Sequence, residues 1–232
     1  MALVKFGPGI VDARGSVGGV VFSRNSTSNY MRARSIPVNP NTDLQNVVRA
    51  ALAMLCDRWS QVVTALQRTG WEVYASNVSM KNKLGEAIYI SGFNHYLRSN
   101  IPRAQAGVAV IDAPPVIFEL PDQDPTFAIT AGEGAQQIVF TFDDTLAWAL
   151  ETGAYLFKYQ GIPQNPQRNF FNGPWRYIGN VAGVDTTGAS SPDTQDIAYP
   201  IAELQRQWCY ARISRLDGRL SEPFRADCFV GA

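Results

Sequence analysis

At 232 residues, with 46% apolar and 17% charged residues, the chain is long enough for one or two cored domains and too apolar for wholesale disorder. Twenty Lys and Arg balance twenty Asp and Glu, which argues against a protein that coats nucleic acid over its whole surface, and one histidine with three cysteines leaves little for metal or imidazole catalysis. No apolar run approaches the roughly 18 to 20 residues of a membrane-spanning helix, and the opening MALVKFGPGIVDARG has no secretory pattern, so neither a span nor a signal is expected.

The balanced total hides a split. Residues 1–105 hold twelve Lys and Arg against five Asp and Glu, whereas residues 106–232 hold eight against fifteen. Residues 1–41 read as an extended basic arm, with Gly7, Gly9, Gly15, Gly18 and Gly19 beside Lys5, Arg14, Arg24, Arg32 and Arg34. Within it, 17–22 and 30–34 suit two short strands joined by a Ser- and Asn-rich tip over 23–29. Two strands alone bury too little to be stable in water, so the arm is expected to need another surface.

Pro37 and Pro40 close the arm, and Thr42 with Gln45 makes a capping-box signature that predicts a helix starting at Asp43. Val48, Leu52, Leu55, Trp59 and Val62 form its apolar stripe. A second box, Thr64 to Gln67, opens another helix that turns Leu66, Trp71, Tyr74 and Ala75 inward. Residues 81–90 read as a turn and a short strand, and Ser91 caps a brief helix that Pro102 is expected to stop. The small helical region is thus placed at 42–101, with a linker at 102–114.

From 115 the hydrophobic period changes from about 3.6 to 2. Runs at 116–120, 127–130, 138–142, 155–159, 175–178, 197–201, 208–213 and 224–230 have strand length, and 145–150 suits one helical turn. The fold class is therefore α+β, with the arm or hairpin first, the helices next and a C-terminal antiparallel β-sandwich over 115–232. If Asp217-Gly218 is a hairpin turn, Cys209 faces residue 226 and Cys228 lies only diagonal to it, so free thiols are expected.

The residues offer little to catalysis. His95 has no Gly-x-Ser-x-Gly elbow or cysteine near it and reads as a packing or capping residue. Asp122 with Asp124, and Asp143 with Asp144, lack the glycine and terminal glutamate of a calcium loop and read as solvated strand ends. The arm is different. Phe22, Arg24, Tyr30, Arg32 and Arg34 interleave rings with guanidinium groups and are the candidate partner-binding residues, with an acidic protein surface favoured over nucleic acid because the basic residues are sparse and alternate with apolar ones. A second candidate set is Phe170, Phe171, Trp175 and Tyr177, whose rings could stack on sugars.

Gly18-Gly19-Val20-Val21-Phe22-Ser23-Arg24-Asn25, Tyr30-Met31-Arg32-Ala33-Arg34, and Pro37-Val38-Asn39-Pro40-Asn41-Thr42 with Gln45 resemble the opening of a group of virion proteins encoded by tailed phages and prophages. Trp59, Trp71, Tyr74, Ala75, Gly85, Ser91, Gly92 and Asn100 extend the resemblance over about the first hundred residues. Residues 208–213 and 217–221 resemble a fibronectin type III module. The phage resemblance implies a non-enzymatic structural component without a cofactor, made in the bacterial host cytoplasm and carried in the virion. Its implied partners are capsid or tail subunits and further copies of itself. Capsid decoration or a minor head position is the first expectation, with a tail or connector component, or a carbohydrate- or receptor-binding adsorption module, as alternatives.

Overall fold

A computed structural model describes residues 2–10, 12–24, 28–81 and 85–232. The chain divides into two compact units, Met1–Asp43 and Leu44–Ala232. The first is a four-stranded antiparallel sheet in the order β1-β4-β3-β2, built from β1 (Ala2–Leu3), β2 (Gly15–Val17), β3 (Val20–Arg24) and β4 (Asn29–Ala33). The strand expected over 17–22 is broken, because Gly18 and Gly19 form a tight turn that pairs Val17 with Val20. Gly18 takes φ +57° there, a conformation that costs a glycine little. The hairpin is thereby widened to four strands, yet none of the described residues of this unit is buried.

In the second unit, α1 (Asp43–Gln61), α2 (Ala65–Asn77) and α3 (Gly92–Gln105) begin where the capping signals place them. Thr64 and Gln67 close a reciprocal capping box on α2, and the Ser91 hydroxyl accepts from the Asn94 amide at 3.3 Å. Leu55, Val63, Trp71, Tyr74, Val78 and Tyr96 form the helical core. Between α2 and α3, β5 (Met80–Lys81) pairs with β6 (Ala87–Ile88). α3 does not stop at Pro102 but runs to Gln105, so the first part of the expected linker is helical.

The rest folds into two antiparallel sheets. β7 (Ala128–Gly132), β8 (Gln137–Thr141) and β11 (Asp193–Asp196) give the order β11-β8-β7. β9 (Tyr155–Gly161), β10 (Trp175–Ala182), β12 (Arg206–Ser214) and β13 (Phe224–Phe229) give β10-β9-β12-β13. Ile129, Ile138 and Phe140 of the smaller sheet pack with Cys209 of β12 and with Val230, which follows β13. Lys158 of β9, fully buried, pairs with Asp193 of β11 and so joins the two sheets.

Two expected strands are absent. Residues 116–120 are irregular and expose Val116, Ile117 and Phe118, since no neighbouring strand pairs with them and Pro115 and Pro121 flank the run. Residues 197–201 follow β11 as irregular chain, although Ile197 and Ile201 pack into the core. The Gln160 side-chain oxygen accepts from the Ala198 and Tyr199 amides at 2.6 and 3.0 Å, supplying hydrogen bonds a partner strand would otherwise provide. Residues 144–152 form turns that bury Trp148 and Ala149. The β12–β13 register is the expected one, with Cys209 opposite Ala226 and Cys228 opposite Gln207, although at the turn itself Ser214 pairs with Leu220, one residue off that register; all three cysteines are free thiols.

The helices and sheets of the second unit are tied by arginines of α3. The Arg98 guanidinium donates to the Leu220 and Ser221 carbonyls at 2.6 and 2.9 Å. Arg103, buried, donates to the Ala109 and Gly153 carbonyls and to the Ser214 hydroxyl. Asp112, inside the expected linker, anchors Trp71 through a 3.0 Å bond from the indole N–H to its carbonyl.

Candidate functional site

Cross-strand register sorts the arm residues onto faces. Phe22 lies opposite Met31 and Arg24 opposite Asn29, so Phe22 and Arg24 share one face of the sheet. Arg32 lies opposite Val21 and Tyr30 opposite Ser23, which puts Arg32 and Tyr30 on the other. Arg34 follows β4, its amide held by the Gly19 carbonyl at 2.8 Å. Phe22 has one aromatic neighbour, Phe6, at 6.5 Å. Arg24, Arg32 and Arg34 are all exposed. The five candidate residues thus form two groups on opposite faces, not one patch. Asn25, Ser26 and Thr27 lie outside the described residues.

The second candidate set separates. Phe171 is buried with its ring edge-on to Trp175 at 4.9 Å, while Phe170 beside it is exposed. Trp175 and Tyr177 instead join an aromatic face that spans the four-stranded sheet. Strand alternation builds it: Tyr155, Phe157 and Tyr159 of β9 and Trp208 and Tyr210 of β12 point opposite to Leu156, Lys158, Cys209 and Ala211. Tyr159 and Tyr210 stack in parallel at 4.4 Å, Tyr177 meets Tyr159 at 5.7 Å, and Trp175 stands at 90° to Tyr210 at 4.9 Å. Arg206 lies over Trp208 at 4.8 Å and Arg225 over Trp175 at 5.6 Å. Burial pushes the Tyr159, Tyr177 and Tyr210 hydroxyl pKa values up. The period-2 ring spacing in β9 and β12 is the signal that points to Tyr159 and Tyr210 from sequence.

A cleft of about 660 Å³ opens where this face meets the first turns of α1. Leu44, Val47 and Val48, exposed by 53, 51 and 49%, supply aliphatic surface, and Tyr159, Trp175 and Tyr177 supply rings. Arg176, Tyr199, Gln105 and Gln45 add polar groups. The Arg176 guanidinium lies over the Tyr199 ring at 4.3 Å and donates to the Ala198 carbonyl at 3.1 Å.

The other chemistry-bearing residues are buried in the fold or hydrogen-bonded within local turns. His95 is fully buried against Tyr74 at 5.1 Å, neither ring nitrogen has a hydrogen-bond partner, and burial lowers its pKa to about 4. Asp124, also buried rather than at a solvated strand end, accepts from the Thr126 amide and hydroxyl and from the Asp143 amide. Asp143 accepts from the Thr145 amide and hydroxyl, which hold its pKa below the usual carboxylate value. Burial raises the pKa values of the Cys209 and Cys228 thiols. Among the described residues no three His, Cys, Asp or Glu side chains converge as metal ligands, and no helix is long and apolar enough to cross a membrane.

No protein-family model and no curated protein matches the sequence. Over its C-terminal half the chain is distantly similar to solved structures. One is an Fn3-like protein from Clostridium thermocellum, at 9% identity and TM-score 0.31, covering 49% of this chain and 97% of that one. Another is the adhesin domain of Epf from Streptococcus pyogenes, at 11% identity and TM-score 0.29, covering 48% of this chain and 32% of that one.

Proposed function

We propose that this protein is a non-enzymatic structural component of a tailed-phage particle, docked on neighbouring subunits through residues 1–43. The observation that carries this reading is the four-stranded sheet of that unit, in which no described residue is buried. A sheet with no buried residue among those described leaves the backbone groups of its edge strands and its apolar side chains to water, and another protein surface satisfies both. Leu3, Ile10, Val17, Met31, Ile36 and Val38 are the exposed apolar side chains that such a surface would cover.

Charge supports the same reading. Residues 1–43 hold five Lys and Arg against two Asp, and residues 44–232 hold fifteen against eighteen acidic residues. A basic arm on a mildly acidic body favours packing between unlike units of neighbouring subunits over self-repulsion. The resemblance of residues 18–25 and 30–42 to phage virion proteins supplies the particle, with a capsid decoration or minor head position as the favoured place. The complete burial of His95 fits a role in packing.

The test is incorporation into particles. Phage particles purified from cells expressing the full chain are expected to contain it, and the Arg24→Glu/Arg32→Glu/Arg34→Glu variant is expected to be excluded from them with an unchanged melting temperature. In the isolated chain, amides of β3 and β4 are expected to exchange far faster than those of β9 and β12. Equal protection of the two units, or full incorporation of the triple variant, overturns the reading.

A further inference from the structure

We propose that the cleft between the first turns of α1 and the aromatic face of the four-stranded sheet binds a carbohydrate chain. This inference stands apart from docking through residues 1–43, because every residue it uses lies in the second unit.

Size is the first argument. At about 660 Å³ the cleft falls in the range of small-molecule sites and accommodates several sugar rings. Rigidity is the second. Trp175 is held edge-on by Phe171 and Tyr210, both at 4.9 Å, and a Cβ on Gly161 or Gly173 would come within 3.0 or 3.1 Å of its ring. The 2.6 Å bond from the Asn180 amide to the Tyr177 hydroxyl fixes a second ring. Rings locked before binding lose little entropy when a ligand stacks on them.

The lining selects the ligand class. It contains no carboxylate, so a cation would find no counter-charge. A purely apolar chain would fill the space beside Leu44, Val47 and Val48 but would remove water from Arg176 and Gln105 without replacing its hydrogen bonds. A pyranose offers both complements: flat C–H faces for the half-buried Trp175 and Tyr177 rings, and hydroxyl edges for the Gln105 amide and the Arg176 guanidinium. Because Arg176 is the charged group of the lining, neutral and anionic sugars both suit it.

The experiment titrates the full chain with four hexasaccharides (maltohexaose, cellohexaose, N-acetylchitohexaose and hyaluronan hexamer) and follows tryptophan fluorescence and heat. At least one is expected to bind with a dissociation constant near or below roughly 1 mM. Trp175→Ala is expected to weaken that binding at least about tenfold. Because Trp175 packs on Phe171 and Tyr210, a second variant guards against misfolding: Val48→Arg places a long side chain in the cleft from an exposed helix position and is expected to block binding with an unchanged melting temperature. Absence of binding by all four sugars, or binding untouched by Val48→Arg, overturns the proposal. Self-association that Val48→Arg abolishes, without any sugar effect, overturns it as well and assigns the cleft to a second copy.

Discussion

Arg58 grips Asp112 with two parallel hydrogen bonds of 2.7 Å, one from Nε and one from Nη2, and thereby fastens the last turn of α1 to the chain leaving α3. The Tyr96 hydroxyl adds a third bond to the same carboxylate at 3.2 Å. Bidentate pairs of this kind fix geometry as well as energy. The arginine is partly exposed, with 38% of its side chain accessible, so the pair itself contributes only about 1 kcal/mol. Asp112→Ala is expected to cost more, about 2 to 3 kcal/mol, because the Tyr96 hydroxyl loses its acceptor in the core. Arg58→Ala is expected to cost about 1 kcal/mol. Urea midpoints of the two variants check the order, and a greater loss for Arg58→Ala contradicts it.

Lys158 tests the join between the sheets. Its ammonium is fully buried, pairs with Asp193 and lies 5.0 Å from the Phe140 ring. Burial pushes the lysine pKa down and Asp193 pushes it back up. Asp193→Ala leaves a buried cation without its counter-charge and is expected to destabilise the fold by about 3 to 5 kcal/mol. Adding Lys158→Met removes the stranded charge and is expected to recover most of the loss. A double variant no more stable than Asp193→Ala refutes this account.

His95 makes the fold sensitive to mild acid. Burial lowers its pKa, and the nearby Arg98 charge lowers it further. The folded chain gives up the proton at about 4, against the ordinary 6.5. Between those values the unfolded state binds more protons, so this histidine's share of stability is complete above about pH 6.5 and is lost as pH falls toward 4, by about 3 kcal/mol in all. The difference between the urea midpoints of the parent and of His95→Leu, taken at several pH values across that window, should shift in favour of the variant as pH falls. A constant gap between them excludes the mechanism.

Gly92 governs how closely α3 approaches α2. A Cβ there would stand 2.6 Å from the Glu72 amide nitrogen and 2.7 Å from the Trp71 carbonyl carbon, both backbone atoms that cannot swing aside. Gly92→Ala is expected to cost about 1 to 3 kcal/mol through displacement of the helix pair, even though alanine favours helices. A neutral or stabilising result in thermal unfolding contradicts the close approach.

Much of the second unit was legible because its signals are local. Thr64 with Gln67 and Ser91 announce helix starts through bonds made within three residues, and the alternation in 206–214 announces which side of β12 faces the core. Features set by distant partners were not legible. Pro102 was expected to stop a helix, yet α3 continues for three residues past it, to Gln105, with Asn100, Pro102 and Arg103 buried beneath later chain. The run 197–201 has strand composition, but its backbone is claimed by the side chain of Gln160, about forty residues earlier. The cleft depends on α1 lying beside β9 and β10, which no local pattern specifies. Ring content alone points to Trp175 and Tyr177 and period-2 ring spacing to Tyr159, whereas Tyr199 and Arg176 join the cleft only through the sheet.

The seam made by Arg98 and Arg103 has one further consequence. Their hydrogen-bond acceptors are neutral carbonyls and a hydroxyl rather than carboxylates. Mobile counterions therefore have no directly bonded carboxylate to shield, and concentrated electrolyte that loosens an exposed pair such as Arg14 with Asp12 leaves α3 seated on the strands. Helices and sheets should remain one body through the high-salt washes used to strip loosely held proteins from an assembly.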